Sequence, residues 1–203
     1  MKEKIKLEYA EWANFWFENA PDDTAVRIVL IGDSITNGYR RIVQENLKEF
    51  GILVDMAIGS RGVDNPALFA ELEYILGSAN NKKYRAVHFN NGIHADHITG
   101  EAYENGMRDC ISLIKKLQPE AEIILVTSTA YSDPAKNGTV IKRNDIVKKL
   151  AVEYGLPLND LYAEVTCKPE YPQPDSVHFS AEGNERLAFA VSEKIKQVLN
   201  IKG

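Results

Sequence analysis

The chain has 203 residues, 44% of them hydrophobic and 26% charged, and a formal net charge of −5. That length can bury a substantial core as a single domain over 1–203, and the acidic balance argues against a general nucleic-acid binder. No stretch approaches the ~18 consecutive apolar residues of a membrane span, and two cysteines, Cys110 and Cys167, are too few for a disulfide framework and lack partners at zinc-ligand spacing.

The amino terminus runs from Met1 into mixed polar sequence without the apolar core of a signal peptide, and the sparse cysteines suit a reducing compartment, which together predict a cytoplasmic protein. Residues 5–18 place Trp12 and Trp16 one helical turn apart, with Leu7 and Phe15 nearby. The spacing predicts a helical extension over 1–20 that covers an edge of the sheet; an aromatic surface for a sugar or a membrane is the functional alternative. Pro21 to Thr24 reads as a turn.

Four consecutive aliphatics, Ile28 to Ile31, predict a strand over 26–32 buried on both faces. Gly32 then permits a sharp turn, and Ser34 stands just past the carboxyl end of the strand, where open α/β sheets bind their ligands. A helix follows over 39–50, ended by Gly51. A second strand spans 52–58 and leads into a glycine-flanked loop, Gly59 to Gly62. Pro66 opens a helix with Leu68, Phe69, Leu72, Ile75 and Leu76 at core spacing. A third strand at 86–89 ends at Asn90-Asn91-Gly92, and a helix spans about 100–117. A fourth strand covers 121–127, a helix covers 139–154, and 156–158 predicts a short fifth strand, placed at an edge by Pro157. A proline-rich stretch then leads to Asp175-Ser176-Val177-His178, and Ser180 caps a final helix over 181–199. Alternation of this kind predicts an α/β fold with a five-stranded parallel sheet covered on both faces. The loops at 32–38, 59–65 and 90–97 all follow strands and gather at one edge.

A serine hydroxyl is a poor nucleophile until a base lies within ~2.6–3.2 Å and that base is itself oriented. Of the four histidines, His88 falls within a strand and reads as structural, while His94 and His97 either shape a pocket or are solvated, with no third residue nearby to complete a metal site. His178 differs in having Asp175 three residues before it in an irregular loop, where a carboxylate can fold back on the imidazole and fix its tautomer. The alternative at that place is a capping Asp175 and a packing His178. An acyl-transfer site also needs oxyanion donors. The candidates are the Ser34 amide, the Gly62 amide and the side chain of Asn90 or Asn91. Arg61, His94, His97, Thr129, Tyr131, Arg143 and Asn144 are candidates for the pocket walls.

Gly32-Asp33-Ser34, the glycine loop at Gly62, the asparagine after the third strand and Asp175-x-x-His178 follow the block order of the SGNH (GDSL) hydrolase superfamily, which the chain resembles from about residue 26 to 195. The resemblance implies a flavodoxin-like three-layer α/β/α sandwich and a serine esterase needing no metal or cofactor. It makes Ser34 the nucleophile, His178 the base and Asp175 its partner, with Ser34, Gly62 and Asn91 forming the oxyanion hole. The third block departs from the family's Gly-x-Asn-Asp, reading Phe89-Asn90-Asn91-Gly92, and Ala57 stands where an upstream asparagine is common. The variant looks like a bacterial branch linked to carbohydrate deacetylation, so the implied substrate is a short-chain, acetyl-type ester of a small or sugar alcohol. The rival readings are a lipase- or thioesterase-like enzyme for longer chains, a non-catalytic carbohydrate-binding protein on the same fold, and a flavodoxin-like FMN binder, which Ile35 and Tyr39 fit poorly.

Overall fold

The computed structural model describes residues 5–98 and 100–201. Its strands and helices run, in order, β1 Ala13–Trp16, β2 Val26–Gly32, α1 Ser34–Lys48, β3 Ile52–Gly59, α2 Pro66–Leu76, β4 Tyr84–Phe89, α3 Gly100–Leu117, β5 Glu122–Val126, α4 Asn137–Tyr154, β6 Leu158–Asn159, α5 Leu161–Val165 and α6 Ala181–Val198. The sheet order is β1-β3-β2-β4-β5-β6. From β3 to β6 every neighbouring pair is parallel, which gives the doubly wound order with a reversal at β2.

Alternate side chains of the central strands feed two cores. Val29 and Ile31 of β2 join Val87, Phe89, Ile123 and Leu125 under α2, α3 and α4. Ile28 and Leu30 join Ala86, Ile124 and Val126 under α1, α5 and α6. The three layers expected from the alternating pattern are therefore present. No helix among the described residues is long and apolar enough to cross a membrane.

Two expectations are corrected. The sheet has six strands rather than five and is mixed, because β1 pairs antiparallel with the outer edge of β3, Ala13 opposite Gly59 and Trp16 opposite Met56. Among the described residues of the 1–20 extension there is no helix. The Trp12–Trp16 spacing does not make one helical face: Trp16 is 49% exposed, while Phe15 meets the ring of Tyr74 on α2 edge-on at 4.8 Å. The segment is held from the other end too. Arg27, 2% exposed, donates to Glu18, Asn19 and Asp22 carbonyls and at 2.8 Å to Asp55 Oδ1 on β3. Tyr84 donates to the other oxygen of Asp55 at 3.0 Å. A turn that satisfies a buried guanidinium outweighs weak local helix preference.

Three smaller differences bear on the site. Helix α1 begins at Ser34, five residues before the expected start, because the Asp33 side chain caps it by accepting from the Ile35 amide at 2.9 Å. Gly32 does not adopt a left-handed backbone; it is glycine because a Cβ there would collide with Thr36 Oγ1. The five-residue α5, capped by Asp160, had no expected counterpart.

Candidate active site

The rim at the carboxyl ends of β2, β3 and β4 receives one predicted residue from each following loop. Ser34 is the first residue of α1, so its amide has no helical partner and faces the end of the sheet where the dipole favours negative charge. Gly62 lies in the loop after β3, and Asn91 in the loop after β4.

The fourth contribution comes from far along the chain. Between α5 and α6 the backbone doubles back through a bridge between Pro172 and Phe179. The Gln173 amide donates to the His178 carbonyl at 2.8 Å, and Ser176 takes a left-handed φ of 68° to close the turn. Phe179, 3% exposed, anchors the turn in the core beneath α6. The turn faces α1 because α6 packs on it, as shown by Asn46 donating to Ser192 at 3.2 Å.

This brings together the three residues expected to act together. His178 Nε2 lies 2.8 Å from Ser34 Oγ, and His178 Nδ1 lies 2.7 Å from Asp175 Oδ2. The second carboxylate oxygen of Asp175 accepts from the amides of Val177 and His178, both at 2.9 Å. The His178 amide, then the His178 ring, then the Val177 amide stabilise the anion and hold the Asp175 carboxyl down at about 2. An ionised Asp175 fixes the Nδ1–H tautomer and leaves Nε2 free to take the Ser34 proton.

The two asparagines part company. Asn90 turns inward, its side chain donating to the Val126 carbonyl at 3.1 Å and lying 3.3 Å from Ser128 Oγ. Asn91 reaches across to the neighbouring loop and donates to the Arg61 carbonyl at 2.8 Å, which leaves it one further N–H. That bond fixes the 61–62 peptide, whose amide is the Gly62 N–H. A side chain at position 62 would collide with Ala95 and crowd Asp64, so the close approach of the two loops requires glycine.

Several polar residues support these loops from behind. Tyr103 of α3 donates to the Asn91 carbonyl, and Arg143 of α4 donates to the carbonyls of Gly92, His94 and Ala95. Asn144 bonds both the amide and the carbonyl of Ser128 at 2.8 Å. Arg143 and Asn144 are 2% and 3% exposed, so they brace loops rather than line a pocket, contrary to expectation. Arg61 is likewise engaged, by Glu71 and the Trp12 carbonyl. The amino-terminal segment joins the same network: Ala95 N–H donates to Glu8 at 2.6 Å, and Ser60 exchanges hydrogen bonds with Ala10 and Trp12. No sequence motif announces these braces, since most act through backbone carbonyls.

The remaining histidines have separate surroundings. His88 is fully buried, its Nε2 3.2 Å from Asn159 Nδ2, and burial pushes it down to about 3, so it stays neutral. His97 Nε2 lies 2.6 Å from Asp64, and His94 lies 3.8 Å from Glu8. Among the described residues no three His, Cys, Asp or Glu side chains group to hold a metal ion.

The sequence matches no protein-family model and no curated protein. The structure, by contrast, superposes on solved hydrolases. The lipase/acylhydrolase from Enterococcus faecalis gives a TM-score of 0.69 at 21% identity, over 85% of this chain and 96% of that one. An acetyl xylan esterase gives 0.66 at 22% identity, over 84% and 100%. A GDSL-like lipase from Bacteroides thetaiotaomicron gives 0.66 at 17% identity, over 84% and 88%. This is the SGNH hydrolase fold. At such identities the likeness is one of architecture, and it fits the block order of Gly32-Asp33-Ser34, Gly62, Asn91 and Asp175-x-x-His178.

Proposed function

We propose that the protein is a serine esterase that hydrolyses short-chain acyl esters, acetyl above all, of a carbohydrate or other small alcohol. The observation that carries this reading is the continuous hydrogen-bonded chain from Ser34 Oγ through His178 to Asp175. Ser34 Oγ attacks the ester carbonyl as His178 Nε2 takes its proton. The carbonyl oxygen, now an anion, is received by the amides of Ser34 and Gly62 and the free N–H of Asn91. His178 passes the proton to the departing alcohol oxygen, leaving the acyl group on Ser34. A water molecule, deprotonated by the same imidazole, then releases the acid and restores Ser34. Oxyanion donors of this kind each contribute about 2.7–4 kcal/mol to transition-state stability.

The acetyl preference and the sugar alcohol are supported by the Asn-Asn-Gly-Ile-His variant of the third block and by the likeness of fold to an acetyl xylan esterase. Two free thiols, Cys110 and Cys167, support residence in a reducing compartment. Ser34→Ala is expected to abolish p-nitrophenyl acetate hydrolysis while the circular dichroism spectrum stays unchanged. Retained activity in that variant would rule the reading out.

A further inference from the structure

The segment 8–12, just ahead of β1, is bonded to both loops that carry the proposed oxyanion donors. Glu8 Oε1 accepts from the Ala95 amide at 2.6 Å, in the loop after β4. The Glu8 amide donates to Glu11 Oε1 at 3.2 Å. Glu11 then accepts from Asn65 Nδ2 at 3.1 Å and lies 3.5 Å from Arg61 Nε, both in the loop after β3. The path Ala95–Glu8–Glu11–Arg61 therefore ties together the same two loops that Asn91 joins by donating to the Arg61 carbonyl. We propose that Glu8 and Glu11 are positioning residues for the reaction, which set the Gly62 amide and the Asn91 side chain at the spacing an oxyanion needs. The proposal rests on the esterase reading above and adds residues from a part of the chain that holds no reacting group.

Each end of the path presses on a donor. Ala95 is buried and holds a left-handed φ of 60°, which a residue with a Cβ adopts only when its surroundings impose it. Glu8 holds its N–H and Arg143 holds its carbonyl. The Ala95 Cβ occupies the space that a side chain at position 62 would need, so a shift of Ala95 passes directly to Gly62. At the other end, the Arg61 side chain also pairs with Glu71 and donates to the Trp12 carbonyl at 3.0 Å. Ser60, one residue earlier, donates its amide to that same carbonyl at 3.2 Å. The peptide that follows Arg61 carries the Gly62 N–H, and its carbonyl is the acceptor of Asn91.

These bonds differ from those that hold the edge of the sheet. The ladder of β1 with β3 covers residues 13–16. The carboxylates of Glu8 and Glu11 lie before it and reach loops instead of strands. A carboxylate accepting from a backbone amide makes a short, charge-assisted bond, and the Glu11–Arg61 pair is mostly buried, so water competes little with it. Oxyanion donors act by being aimed in advance, and a misplacement of about 1 Å can cost about 100-fold in rate. Asp64 and His97, 2.6 Å apart, cross the same gap between the loops. Loss of one carboxylate therefore loosens the two donors without releasing the loops.

The test is a double-mutant cycle on p-nitrophenyl acetate hydrolysis, with Glu8→Ala made in the wild type and in Asn91→Ala. In the wild type, Glu8→Ala should lower kcat about 10- to 100-fold and change KM by less than about threefold. Glu8→Gln keeps an oxygen that can accept from the Ala95 amide, so it should stay within about threefold of the wild-type kcat. In Asn91→Ala one of the positioned donors is already gone, so the factor lost to Glu8→Ala should shrink at least about threefold. Glu11→Ala, at the other end of the path, should repeat both results and carries the test alone if Glu8→Ala does not fold. Damage to packing alone would multiply equally in both backgrounds. A fall of less than about tenfold in Glu8→Ala, an equal factor in the two backgrounds, or a Glu8→Gln as impaired as Glu8→Ala overturns the positioning role. A wild type inactive on p-nitrophenyl acetate overturns the esterase reading itself and this proposal with it.

Discussion

His178 Nε2 stands 2.8 Å from Ser34 Oγ across 144 positions of sequence. Nothing local brings them together. Ser34 is placed by the end of β2 and the cap of α1, and His178 by a turn anchored through Phe179 beneath α6. The packing of α1 against α6 is what converts two separate caps into one site.

Asp175→Asn should impair catalysis without disturbing binding. Amidation of the acid in such a triad holds the imidazole in the wrong tautomer and costs about 10,000-fold in kcat. Asp175 is half-exposed, and water can partly replace its role, so a loss of about a thousandfold is expected. Steady-state kinetics with KM changed by less than about threefold would bear this out; an unchanged kcat would not.

The acid limb of the pH profile should not report Asp175. Asp175, held at about 2, stays ionised throughout the range above its ordinary value of 3.8. Its depressed value means that the stability it adds is present above its ordinary value of 3.8 and is lost as pH falls through about 2. Above pH 4 the ionised Asp175 should therefore keep its hold on the His178 turn, and any loss of activity on acidification should come before the loss of structure. A circular dichroism titration alongside kcat/KM separates protonation from unfolding, and coincident curves would contradict the account.

Asn90 and Asn91 should give different kinds of damage. Asn91→Ala would remove the proposed oxyanion donor and free the 61–62 peptide, so on that reading kcat should fall about 100- to 1,000-fold. Asn90→Ala leaves the Val126 carbonyl without its donor and should cost about 1–3 kcal/mol of stability, read by urea unfolding, with a milder kinetic effect. The reverse pattern would reassign the oxyanion hole.

Arg27→Met would strand a buried carboxylate. Removing one member of a buried pair costs about 3–5 kcal/mol. Burial already raises Asp55 above its ordinary value, against the opposing pull of the Glu18 amide and Arg27. For an acid raised in the folded state, the penalty grows as pH rises above the unfolded value. The deficit of Arg27→Met should thus be larger at pH 7 than at pH 4, and Arg27→Met with Asp55→Leu should recover much of it. Equal deficits at both pH values would count against an ionic origin.

Much of this was legible in the sequence because the deciding signals were local. Aliphatic runs such as Ile28 to Ile31 and the spaced apolar residues of α2 and α3 gave elements whose bounds fall within a few residues of those observed. Gly32-Asp33-Ser34 and Asp175-x-x-His178 also carried their meaning in a few adjacent residues. The edge strand β1 was hidden because four residues pairing with β3 leave no periodicity of their own, while Trp12 and Trp16 mimic a helical face. Tyr103 goes unnoticed in the sequence and Arg143 reads there as a pocket wall for another reason: they act on carbonyls 12 and 48–51 positions away, and any buried donor of suitable length could serve.

The most direct measurement is mass mapping of the protein after exposure to a fluorophosphonate probe. A polarised nucleophile at the rim of the sheet predicts a single phosphonyl adduct on the peptide containing Ser34, strongly reduced in His178→Ala. No adduct in the wild type, or one equally abundant in His178→Ala, would contradict the claim that Ser34 is activated by His178.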